Sequence, residues 1–283
     1  LQRSLQRRGP PARPVEDTPG TPVVTTVGSS FYPLLWLRSL AVWVVFPVSI
    51  FIYVVLLMLA FPIPHTRRWA LVQTWVRFVL WWLKVTCRLT HEVQGTEHIG
   101  EDAAIVFSKH QSTWETVALQ AIFPRQVWVA KKELMSIPIF GWGLALMKCI
   151  AIKRGSGRAA VAQLVTQGTA RLKEGIWVVI FPEGTRIPAG QKGRYRIGGA
   201  VLAEQSGYPI VPVAHNAGEY WPRRSFIKRP GIIQVRIGAP IHGDGKTAQQ
   251  ILDQASEWIE GQMAEITTIT DESNKTATEN TEI

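Results

Sequence analysis

The sequence predicts an α/β fold: a mostly parallel mixed sheet covered by helices and preceded by an N-terminal pair of membrane-associated helices. Three observations carry that expectation. From residue 90 onward, short apolar runs such as Ala103 to Phe107, Trp177 to Phe181 and Ile210 to Ala214 alternate with stretches of helical character, the pattern of buried parallel strands joined by crossover helices. Residues able to do chemistry follow directly on two of those runs, at the strand ends where open α/β sheets bind ligands. Ahead of them, no charged side chain occurs from Ser39 to Pro64.

Residues 1–30 are rich in Arg, Pro, Gly, Ser and Thr and hold little that could pack, so they are expected to be a disordered leader. Residues 31–89 are expected to form a membrane-associated two-helix region. Leu40 to Phe61 is almost wholly apolar and matches the ~20 residues that span a bilayer core, with Pro47 as a kink point. A helix that enters and turns back at Pro62 and Pro64 is the alternative. Flanking charge does not choose between them, because Arg38 stands at one end and Arg67 and Arg68 at the other. In residues 69–89, Gln73, Arg77, Lys84 and Arg88 recur at helical steps and draw one polar stripe on an apolar surface. That suits a helix lying in the membrane interface, with packing against the following domain as the alternative.

Residues 90–266 read as one α/β domain. A short strand at His91-Glu92-Val93 is followed by the buried run Ala103 to Ser108, a helix after Ser112, and a strand Val127 to Ala130. Cys149 to Ile152 then leads into a basic, glycine-flanked loop and a helix from Ala159 to Lys173. Further strands are expected at Trp177 to Phe181, Ile210 to Ala214 and Ile232 to Ile237, with helices at Gly198 to Gln205 and Thr247 to Met263. The polar stretch 267–283 is expected to be a disordered tail.

The formal net charge of +10 and the 12 tryptophans, crowded into the first third at Trp36, Trp43, Trp69, Trp75, Trp81 and Trp82, favour an anionic partner at a lipid surface. No nucleic acid is expected as partner, because no basic run with interleaved base-stacking aromatics occurs. Cys87 and Cys149 offer neither a disulfide framework nor a tetrahedral site, and His91 and His98 lack the His-Glu-x-x-His pattern, so no metal is expected.

Two motifs concentrate the chemistry. In Lys109-His110-Gln111-Ser112-Thr113-Trp114-Glu115, an imidazole and a carboxylate stand five positions apart. On one continuous helix that separation turns about 140° and would keep them apart. With His110 just before a helix and Glu115 in its first turn, the carboxylate can accept from one ring nitrogen and leave the other as a base. Ser112 to Glu115 equally fits an S-x-x-E capping box, in which Glu115 only satisfies a backbone N–H. The second motif, Phe181-Pro182-Glu183-Gly184-Thr185-Arg186, puts a carboxylate, a hydroxyl and a guanidinium on a glycine turn after a strand.

Taken with the later Val211-Pro212-Val213, these blocks resemble, in order, those of the glycerolipid acyltransferase family, most closely its 1-acylglycerol-3-phosphate (lysophosphatidic acid) acyltransferases. The likeness covers about residues 90 to 240, and Glu115 stands where the family usually has Asp. The resemblance implies transfer of a fatty acyl group from acyl-CoA or acyl-carrier protein to lysophosphatidic acid, giving phosphatidic acid. It implies His110 and Glu115 as base and orienter, with Lys131, Arg154 and Arg186 for the acceptor's phosphate. Thr185 belongs to the same substrate-binding turn, and Glu183 with Gly184 would contact the glycerol backbone or shape that turn. No cofactor is expected: a thioester is already activated, and no Gly-x-Ser-x-Gly elbow for an enzyme nucleophile occurs. The enzyme is expected at a membrane, its catalytic domain on the cytoplasmic face. Other acceptors within the family (glycerol 3-phosphate, a lysophospholipid or a lyso-ornithine lipid) and a non-catalytic lipid-binding role are the alternatives.

Overall fold

A computed structural model describes residues 32–153, 155 and 157–268. The expected leader, Arg154, and all but Thr267 and Thr268 of the expected tail lie outside the described residues. Thr268 is tied down, its N–H and hydroxyl donating to the Glu219 carboxylate at 2.7 and 2.8 Å.

The chain opens with a helical hairpin, α1 (Tyr32–Leu59) and α2 (His65–Cys87), turning at the Pro62 and Pro64 segment. A seven-stranded sheet follows, built from β1 (Leu89–Gln94), β2 (Ile105–Ser108), β3 (Gln126–Lys131), β4 (Ile150–Ile152), β5 (Trp177–Ile180), β6 (Ile210–His215) and β7 (Gly231–Ile237). Interleaved are α3 (Trp114–Ile122), α4 (Phe140–Leu146), α5 (Arg158–Lys173), α6 (Gly198–Ser206), α7 (Ala217–Tyr220) and α8 (Ala248–Ile266). The spatial order is β1-β7-β6-β2-β5-β3-β4. Every pairing is parallel except β6 with β7, so the expected mixed sheet forms. Every residue of β2, β5 and β6 is buried, which is why those strands read as unbroken apolar runs. The C-terminal ends of β2, β5 and β3 stand side by side at one edge, and both motifs hang from that edge.

The hairpin is built into the domain. On α1, Leu35, Ser39, Val42, Ser49, Val54 and Leu57 are buried, whereas Trp36, Leu37, Trp43, Val44, Val48, Phe51 and Ile52 are exposed. Its apolar length would cross a bilayer by composition alone, but one of its faces is already occupied by protein. Toward its N-terminal half, Lys228 packs against it: the Lys228 N–H donates to Ser39 Oγ at 2.9 Å, and the ammonium sits 4.3 Å from the Trp43 ring and 5.2 Å from Trp221. Burial pushes the Lys228 ammonium down to about 8. Toward the other half, α4 approaches so closely that a Cβ on Gly143 would fall 3.0 Å from Val54.

On α2, Val72, Val76, Val79, Leu83 and Cys87 face inward and join the core of the sheet domain. Of the expected polar stripe, Arg77, Lys84 and Arg88 are exposed, alongside Trp81 and Val85. Gln73 instead turns inward and donates to the Gln120 carbonyl of α3 at 2.6 Å. Packing against the domain and an apolar outer rim therefore coexist on this helix.

Because Val76, Leu83 and Cys87 are 0–1% exposed, deleting residues 32–88 should strip the core rather than release a soluble domain. Size-exclusion chromatography of the truncated protein is expected to show aggregate. A monodisperse, folded product would mean that the hairpin is a detachable anchor.

Candidate active site

β2 ends at Ser108, and the next residues fold back over the sheet edge before α3 begins. That bend brings His110 Nδ1 to 2.8 Å from Glu115 Oε1. The same carboxylate accepts from the N–H of Gln111 at 3.0 Å and from that of Ser112 at 2.8 and 2.9 Å. Glu115 thus orients the imidazole and satisfies two backbone N–H groups, but the S-x-x-E capping box does not form: the N-cap is Thr113, without a side-chain cap, and Ser112 Oγ accepts from the Trp114 N–H at 3.1 Å. The longer Glu in place of the family's usual Asp reaches the imidazole without difficulty. Glu115 is fully buried, and burial alone would raise its pKa. The hydrogen bond with His110, the nearby His215 and the Ser112 N–H outweigh that and hold the carboxyl below its usual range. Glu115 therefore stays anionic and fixes the proton of His110 on Nδ1, which leaves Nε2 as the basic nitrogen. The ring lies flat on Phe181, centroid to centroid 4.2 Å, and lines a cavity.

The second motif meets the first directly. Gly184 takes φ +68° at the turn, a conformation that glycine adopts at no steric cost. The turn presents Glu183 inward, where Oε2 accepts the His110 backbone N–H at 2.8 Å and Oε1 pairs with Lys109 Nζ at 2.8 Å. The Ile187 N–H closes the junction on the His110 carbonyl at 2.8 Å. Lys109 Nζ also reaches Glu260 of α8 at 2.8 Å and the Gln191 carbonyl at 3.2 Å, and Tyr195 donates to the same Glu260 oxygen at 2.7 Å. Burial pushes the Glu183 pKa up, opposed by Lys109 and the His110 N–H. Behind the loop, fully buried His215 donates from Nε2 to the Lys109 carbonyl at 2.8 Å and accepts from the Ala217 N–H at 3.3 Å. Burial keeps its pKa low, in keeping with the neutral tautomer those two bonds require.

The cavity has a volume of about 370 Å³ and is lined by His110, Lys131 and Arg186 together with apolar residues of α1, α2 and α4, among them Phe46, Val54, Trp75 and Leu144. Lys131 stands at the end of β3 with its ammonium half-exposed, 3.7 Å from Glu133. Arg186 is half-buried, and its carbonyl accepts from Arg223 at 3.1 Å. Thr185 is exposed on the turn, and neither it nor Gly184 lines the cavity. Of the residues singled out in the sequence, His110, Glu115, Glu183, Lys131 and Arg186 come together; Arg154 lies outside the described residues. The participants that sequence reasoning missed are Lys109, Phe181, Tyr195 and Glu260. Lys109 carried a signal, a charge closing an apolar strand, whereas nothing local marks Glu260. Among the described residues, no cluster of His, Cys, Asp and Glu is suited to a metal ion.

Comparison with known proteins gives this geometry a lineage. Residues 90–216 match the family model described as Acyltransferase. The chain is 43% identical over 238 residues to a 1-acyl-sn-glycerol-3-phosphate acyltransferase of Pseudomonas aeruginosa, covering 82% of this chain and 93% of that one. It is 30% identical over 190 residues to the Saccharomyces cerevisiae protein of the same name, covering 65% of this chain and 61% of that one. The fold superposes with TM-score 0.64 at 20% identity on the crystal structure of the 1-acyl-sn-glycerophosphate (LPA) acyltransferase PlsC from Thermotoga maritima, across 82% of this chain and 96% of that one. With 43% identity across 93% of such a relative, the chain belongs to the acyltransferase family.

Proposed function

We propose that this enzyme transfers a fatty acyl group from a thioester, carried by acyl-CoA or acyl-carrier protein, to the free hydroxyl of 1-acyl-sn-glycerol-3-phosphate, forming phosphatidic acid. The observation that carries the reading is one cavity whose lining joins an imidazole and two cations to apolar side chains of the helical hairpin. A lysophosphatidate has that same division between an anionic head and an acyl tail.

In this mechanism His110 Nε2 takes the proton of the acceptor hydroxyl as its oxygen attacks the thioester carbon. The imidazolium so formed is stabilised by Glu115. When the carbon–sulfur bond breaks, the same proton passes to the departing thiolate, so that neither an enzyme nucleophile nor a cofactor is required. Arg186 and Lys131 face the phosphate. Glu183 acts through His110: it holds the backbone of that residue and shapes the turn that displays Arg186. The apolar outer faces of α1 and α2 rest in the membrane with the sheet domain on its cytoplasmic side. There the acceptor passes from lipid into the cavity without exposing its chain to water. A purely lipid-binding role leaves the oriented imidazole without a purpose.

Three outcomes test the reading in purified enzyme supplied with acyl donor and lysophosphatidate. His110→Ala should lower kcat by ~10²- to 10⁴-fold, the usual cost of losing a general base, with the thermal melt unchanged; near-normal turnover would remove His110 from the mechanism. Glu115→Gln removes the negative charge that stabilises the imidazolium. Its kcat should fall by ~10²-fold or more, while Glu115→Asp should retain more activity than the glutamine variant. Arg186→Ala should raise KM for phosphorylated acceptors by about tenfold or more, the worth of a charge-assisted contact. An equal loss on an acceptor without phosphate would place Arg186 elsewhere.

A further inference from the structure

The cavity is not uniformly apolar. Gln126 and Trp128 both line it, and each carries a buried side-chain atom without a hydrogen-bond partner among the described residues: Gln126 Oε1 and Trp128 Nε1. Gln126 is only 2% exposed. Its amide orientation is fixed, because Nε2 donates to the Leu119 carbonyl, so the oxygen is the atom left over. The two residues alternate with Val127 on β3, so they share one face of the strand and stand about 7 Å apart along it. One is an acceptor and the other a donor. Trp128 pairs in register with Val179, which pairs with Val106, and Gln126 with Trp177. Val106 lies two residues before the end of β2, from which the His110 loop departs, so Trp128 and Gln126 sit about 7 and 13 Å back from that strand end along the strand direction.

A saturated alkyl chain satisfies neither atom, whereas buried polar groups ordinarily have a hydrogen-bond partner. A hydroxyl has the complementary chemistry for both, a proton for an acceptor such as Gln126 Oε1 and a lone pair for a donor such as Trp128 Nε1–H. We propose that Gln126 and Trp128 form a recognition site for an oxygen substituent, a hydroxyl above all, carried in the middle of the acyl chain that occupies the cavity. This deepens the acyltransferase reading and rests on it: the site chooses among acyl chains and takes no part in the chemistry at His110. Either substrate could bring such a chain, the thioester donor or the lysophosphatidate, and the recognising chemistry is the same for both.

Two measurements test it on the full-length enzyme in mixed micelles. In the first, mid-chain monohydroxy acyl-CoAs compete with their unsubstituted parents of equal length on a plain lysophosphatidate; the converse arm uses plain donors with hydroxylated and plain acceptors. In one arm the hydroxylated substrate should be favoured in kcat/KM by about tenfold, the worth of a neutral hydrogen-bonded pair. That ratio should collapse toward unity in Trp128→Phe and in Gln126→Met. The arm in which the preference appears identifies the chain that enters the cavity. The second measurement is displacement of a fluorescent fatty acid by hydroxylated and plain free fatty acids, which does not depend on turnover. Trp128→Phe keeps an aromatic side chain but loses ring volume along with the donor, so its thermal melt and its kcat/KM for the unsubstituted substrates are measured beside the ratio. Equal ratios in wild type and both variants, in turnover and displacement alike, would overturn the proposal and leave the two atoms to ordered water only. Absence of transfer from every donor, with the displacement preference intact, would overturn the acyltransferase reading and spare this one.

Discussion

The active site depends on a buried ion pair, Lys109 with Glu183, that joins two loops arriving from different strands. Neither group is solvated, with side-chain exposures of 1% and 0%. Removing Lys109 would strand the Glu183 carboxylate in the interior, a situation that commonly costs about 3–5 kcal/mol. The ammonium also meets Glu260 and a backbone carbonyl, and Glu183 also accepts the His110 N–H. The pair thus fixes where the imidazole begins, while Glu115 fixes where it points. Specificity of geometry, more than stability, is what such an arrangement supplies: buried ion pairs seldom improve on a well-packed apolar substitute.

The same economy of parts appears around Glu115. One carboxylate sets the tautomer of His110 and ties down the Gln111 and Ser112 N–H groups just ahead of α3. Its charge is maintained by these donors against full burial. Because the oxygens are engaged by backbone as well as by the ring, the imidazole has a fixed partner before any substrate arrives, the preorganisation that electrostatic catalysis needs.

Much of this was legible in the sequence. The strands were visible because their residues are buried on both faces, so period-two alternation gives way to continuous apolar runs. His110, Glu115 and the Phe181 to Arg186 turn were visible because reactive side chains directly follow those runs. Less was visible where sequence distance exceeds the reach of a local pattern. Nothing near Glu260 on an amphipathic helix announces a partner 151 positions earlier. Gln73 shares the spacing of Arg77 and Lys84 and yet points the other way, because α3 supplies a carbonyl that periodicity alone cannot foresee. Burial of one face of α1 is likewise a tertiary fact: an apolar composition says that a helix avoids water, not which of lipid or protein it touches.

The segment between Trp221 and Pro230 carries a consequence for how the hairpin and the catalytic edge behave together. Lys228 clasps α1 through Ser39 and the Trp43 ring, and five residues earlier Arg223 holds the main chain of Arg186. A tilt of the first helix against the sheet would therefore tug, through a short stretch of covalent chain, on Arg186, the residue proposed to face the acceptor's head. With that helix in the membrane as proposed, bilayer thickness and lateral pressure gain a mechanical route to the cavity.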